Sequence, residues 1–144
     1  MPRATATSFV SSLASVLVIT ALGCGGEANI RASVEIVEPA NEAAVDGPDV
    51  RVALAATGVE IAPAADEREG TAHHHLFVDR SPTALDDTIP AGLTGIIHLG
   101  RAQTEFTLKG LAPGEHTVIA VLANWAHVPL SPPAVDTVRF TVRP

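Results

Sequence analysis

Cysteine occurs once in the 144 residues, at Cys24, so the chain can form no disulfide within itself. Tyrosine is missing altogether and aromatic residues make up only 3 %. A core must then be assembled from Val, Ile, Leu and Ala. Basic residues are few, 9 against 16 acidic ones, for a formal charge of −7. This balance lacks the cationic footprint that phosphate backbones require, so no nucleic-acid partner is expected, and solubility is the plain meaning of the charge. No apolar run reaches the roughly 20 residues of a comfortable membrane-spanning helix. There is no Gly-rich phosphate loop, no His-Glu-x-x-His helix, and no nucleophile-elbow context around Ser81, Thr104 or Ser131. The chain is therefore expected not to be an enzyme. No stretch reads as a convincing helix, and no internal repeat is visible.

The N-terminus carries an address. Arg3 gives a short positive start, and Phe9 to Leu22 is a mostly apolar run of the length of a secretory h-region. It ends in Ala21-Leu22-Gly23-Cys24, which resembles the bacterial lipobox. That resemblance implies lipidation of the Cys24 thiol, cleavage before it, and acylation of the new N-terminus. Residues 1–23 are then a signal peptide, and residues 24–31 are the lipidated cysteine with a short tether. By resemblance to Gram-negative lipoproteins, a residue other than Asp after the cysteine, here Gly25, implies the outer membrane with the domain facing the periplasm. The membrane is the one partner so indicated, and no pattern specifies a protein partner. The alternative is an ordinary signal peptide cleaved near Ala21 or Gly23, with Cys24 a free thiol.

Residues 32–144 read as one β domain. Ala32 to Val37 and Val50 to Ala55 alternate apolar and polar residues, the mark of half-buried strands. Asp46-Gly47-Pro48 is a turn signal between them. Ala62 to Gly70 is a solvated loop, and His73 to Val78 forms the next strand. Arg80 to Gly95 is a long connection punctuated by Pro82, Pro90, Gly92 and Gly95. Ile96 to Leu99 and Gln103 to Leu108 are short strands. Thr117 to Leu122 is apolar on both faces and should be central, whereas Val135 to Val142 alternates again. About seven short strands predict an antiparallel β-sandwich of immunoglobulin or fibronectin type III kind. Leu111 to His116 resembles the fibronectin-type turn before strand F, with His116 in the slot of the corner tyrosine.

The segments Gly70 to Asp79, Ile97 to Glu105, Pro113 to Val118 and Ala123 to Leu130 together resemble a bacterial family of unknown function, the DUF4399 domain. Its pattern is similar to His73-His74-His75-Leu76-Phe77-Val78-Asp79, Ile97-His98-Leu99-Gly100 and Gln103-Thr104-Glu105. Two departures fall in the last segment: Asn124 stands for the usual Asp, and Leu130 for a second His. The family implies fold and motif without supplying an activity.

Six histidines remain to be placed. Neighbouring strand residues point to opposite faces, so His73 and His75 share one side, while His74 joins Leu76 and Val78 on the other. A His-x-His pair suits one transition-metal ion, copper or zinc, with His98 and His127 as further ligands, all four gathered at one end of the sandwich. Asp79 or Glu105 is expected to ligate or to hold a ligand imidazole in place. His74 is expected to be a hydrogen-bonded, partly buried histidine, and His116 structural. The competing expectation is a non-catalytic structural or interaction module whose histidines only organise loops.

Overall fold

The computed structural model describes residues 31–144. The signal peptide, the lipobox and Cys24 lie outside the described residues. The described chain is all-β, with nine strands and no helix among the described residues. In order they are β1 (Ser33–Glu38), β2 (Ala43–Asp46), β3 (Val50–Thr57), β4 (Glu60–Ile61), β5 (Thr71–Val78), β6 (Ile96–Leu99), β7 (Glu105–Leu108), β8 (Gly114–Ala123) and β9 (Val135–Arg143).

They form two sheets. One has the order β1-β3-β7 and the other β2-β9-β8-β5-β4, with β6 also paired to β5. Two points correct the expectation of about seven strands in an antiparallel sandwich. The additional strands, β2 and β4, pair in parallel, with β9 and β5 respectively. One sheet also curls into a half-barrel. Both additional strands are short, and the turn residues beside them mask any alternating signal.

Strand alternation explains the inter-sheet core. Val34 and Ile36 of β1, with Val50, Val52 and Leu54 of β3, face Ala72 and Leu76 of β5, Val118, Ala120 and Leu122 of β8, and Val138, Phe140 and Val142 of β9. Each Val, Leu, Ile or Phe side chain among them contributes about 1.5–3 kcal/mol when fully buried. Phe140 is the only aromatic among the buried members of this cluster, as the composition requires. The Ile36 amide donates to the Asp136 carboxylate at 2.7 Å and staples β1 to β9 across the two sheets.

β8 is central, hydrogen-bonded to β5 and β9. β5 is buried along both faces from Thr71 to Phe77. Its inner face carries Ala72, His74 and Leu76, and its outer face carries His73, His75 and Phe77. The outer face is covered because Ile89, from the long connection after β5, packs with Phe77, Val121 and Ala123 as a second apolar cluster. The Ile89 amide donates to the His127 carbonyl at 2.9 Å, which joins that connection to the loop after β8.

Candidate metal centre

His73 and His75 enter the site from the outer face of β5. In the ladder, His75 lies directly opposite His98 of β6, and His73 lies opposite Ala123 of β8. Cross-strand register therefore delivers the third ring, and the small Ala123 leaves space beside His73. The His75 and His98 rings stack, with centroids 5.0 Å apart and planes 23° apart. Gly100 sits beneath the His98 ring, and a Cβ at that position would overlap it.

His127 comes from the loop after β8. Asn124 builds that loop: its side-chain oxygen accepts from the amides of Ala126 at 2.9 Å and Val128 at 3.2 Å. The Asn124 carbonyl accepts from the His127 amide at 2.9 Å. His127 then adopts a left-handed backbone, φ 60°, and its ring turns onto the others. The acceptor that an Asp would supply here is retained by Asn124. Leu130, the other departure from the family pattern, packs on the inter-sheet core.

The four rings form one cluster. Centroids are 4.8 Å apart for His73–His75 and for His98–His127, and 5.6 Å apart at the widest, for His75–His127. One ring nitrogen from each of His73, His75, His98 and His127 lies within 4.8 Å of the other three. Tetrahedral coordination at Zn–N distances near 2.0–2.1 Å sets ligand nitrogens about 3.3 Å apart. The Nε2 atoms of His98 and His127 are already 3.3 Å apart.

The electrostatics prepare neutral ligands. Burial pushes His73 down to about 4 and His75 to about 3, reinforced by the neighbouring imidazoles. His98 is lowered for the same reasons, burial first and then His127. At neutral pH these three rings therefore carry free lone pairs. His73 Nε2 and His75 Nδ1 are buried with no protein hydrogen-bond partner. Leaving such atoms unsatisfied costs about 1–3 kcal/mol each. An ion bound between the rings removes that cost, so the residues present fit a metal.

Several sequence expectations change. The four histidines sit on the outer face of the larger sheet, beside the end of β8, where the connection carrying Ile89 folds over β5 and β8. Asp79 and Glu105 do not join the rings. Asp79 ends β5 and binds the His116 ring and the Thr117 amide, at 2.7 and 2.8 Å. Glu105 lies on β7 in the other sheet and receives Arg51 at 2.6 Å. Among the described residues, no carboxylate belongs to the cluster.

His74 is wholly buried rather than partly so, with Nδ1 3.1 Å from the Gln103 carbonyl and Nε2 without a partner. His116 is structural as expected: Nε2 meets the Ala112 carbonyl at 2.8 Å while Nδ1 meets Asp79. Gly100, Asn124 and Ile89 shape the site, a role that the sequence reading gave to none of them. A glycine two residues after a strand histidine, and an Asn opening a loop, are the signals that point to the first two.

Neither a curated protein nor a solved structure matches the chain. Residues 52–143 do match a family, and the matched span runs from within β3 to the last residue of β9, taking in all four clustered histidines. Covering well over half of the sequence, that match shows that the chain belongs to the family of DUF4399, a domain of unknown function.

Proposed function

We propose that the domain binds a divalent transition metal, copper or zinc, through His73, His75, His98 and His127. The observation that carries this reading is the convergence of four imidazoles from β5, β6 and the loop after β8, two of them with buried nitrogens that no protein group satisfies. Four neutral nitrogen donors suit Zn²⁺ and Cu²⁺. An unpaired buried nitrogen occurs at His74 too, so what marks His73 and His75 is that theirs lie within a cluster of four rings. His116, by contrast, pairs both ring nitrogens, with the Asp79 carboxylate and the Ala112 carbonyl.

We read the protein as a binding protein of the bacterial cell envelope rather than a catalyst. Support for the location comes from the lipobox-like Ala21-Leu22-Gly23-Cys24 and from Gly25, which favours the outer membrane facing the periplasm. The scaffold we read as immunoglobulin-like, with β1, β3 and β7 in one layer and β9, β8, β5 and β6 in the other, and with β2 and β4 as edge additions.

The test is metal uptake by the purified chain, measured as ions bound per chain after removal of excess. About one Cu²⁺ or Zn²⁺ per chain is expected. Uptake should be lost in the His73→Ala, His75→Ala double variant. Uptake unchanged in that variant, with the variant folded, rejects these ligands. The interaction-module alternative predicts instead that the substitutions lower thermal stability and that no tight metal binding occurs in either protein.

A further inference from the structure

Beside the histidine cluster lies a cavity of about 180 Å³. His75, His98 and His127 line it together with the apolar Ile89, Pro90 and Ile96. It is thus bounded by three of the four candidate ligands and by apolar side chains from the long connection and from the start of β6. Its volume has room for several waters or for one compact molecule of a few heavy atoms. No lining side chain is acidic or basic apart from the imidazoles.

The ligand set makes this cavity chemically pointed. Four neutral imidazoles leave the whole charge of a divalent ion in place, and no carboxylate belongs to the cluster. A partly buried, uncompensated double charge is costly. A monoanion reaching the ion through the cavity would halve it. The apolar part of the lining offers nothing to a second charge and favours a short hydrocarbon remainder.

We propose that this cavity is an anion-binding pocket on the metal centre, taking a small monoanion of the short-chain monocarboxylate class. The anion would add to the four imidazoles as a fifth ligand, donating an electron pair to the ion, with its remainder against Ile89, Pro90 and Ile96. This rests on the metal-binding reading above and goes beyond it by naming what the ion binds.

The experiment uses the full chain with one equivalent of Cu²⁺, its copper content measured first. Azide is then titrated and followed by the azide-to-copper charge-transfer absorption, with butyrate as competitor. Two variants fill the cavity without touching a ligand, Ile96→Phe and Ala91→Trp.

Copper content equal to the unsubstituted chain, azide affinity at least tenfold weaker in a filled variant, and displacement of azide by butyrate in the unsubstituted chain are the results expected. Copper-loaded chain that shows no azide band, a band equally strong in both filled variants, or azide that butyrate does not displace would each overturn the pocket while leaving the metal site intact. Failure of the unsubstituted chain to take up copper removes the metal reading itself, and is seen before any azide is added.

Discussion

Two residues outside the ligand set control the chemistry around them. Gly100 packs so closely under the His98 ring that any side chain there must push the ring aside. Gly100→Ala should weaken metal affinity by about tenfold, roughly 1.4 kcal/mol, with little loss of thermal stability. Isothermal titration beside a melting curve checks both halves of that statement. His116 places its two ring nitrogens against two acceptors, the Ala112 carbonyl and the Asp79 carboxylate, which the doubly protonated ring satisfies best. Burial pulls its pKa down, but those two bonds outweigh burial and the net displacement is upward. Its contribution is therefore fully present below the ordinary histidine value of about 6.5, and is lost as pH rises through the raised value. In Asp79→Asn this pH dependence should flatten. Melting temperatures of the two proteins between about pH 5.5 and 8, on either side of that value, decide it.

At the level of elements, β5 carries the most. Its inner face holds Leu76 in the main core and its outer face holds two of the four clustered histidines. Leu76 is wholly buried, so Leu76→Ala should cost about 2–5 kcal/mol, read from chemical denaturation of the metal-free chain. β1, β3, β5, β8 and β9 were legible in the sequence because their side chains alternate, or are apolar throughout, over six or more residues. β2 and β4 were not, since β2 is an Ala-rich stretch running into the Asp46-Gly47-Pro48 turn and β4 has only two residues. The pairing of His73 with His75 also followed from strand periodicity alone. Their meeting with His98 depended on the β5–β6 register, and with His127 on the left-handed turn that Asn124 arranges. Neither is a local property of the sequence. The burial of the site had the same character: Ile89 stands in a loop without period, and only its contacts with Phe77, Val121 and Ala123 reveal a second core. Asp79 and Glu105 fall outside the cluster because the fold turns them to other partners, His116 with Thr117 and Arg51 respectively.

For the molecule as a whole, a domain without disulfides carries its metal candidates on a face covered by loops, behind an N-terminal segment that resembles a lipoprotein signal. More than one acyl chain is needed for firm membrane attachment, and the lipobox chemistry would supply that at Cys24. Cys24→Ser should therefore move the protein from the membrane fraction to the soluble fraction of an expressing bacterium. The same change should leave metal uptake by the purified domain unaltered, because no thiol belongs to the histidine cluster.

The central claim is that four imidazoles close on one ion. X-ray absorption of the zinc-loaded chain reads this directly. The account predicts a first shell of nitrogen at about 2.0–2.1 Å, with the outer scattering of about four imidazole rings. A first shell dominated by oxygen, or outer scattering from no more than one ring, would contradict it.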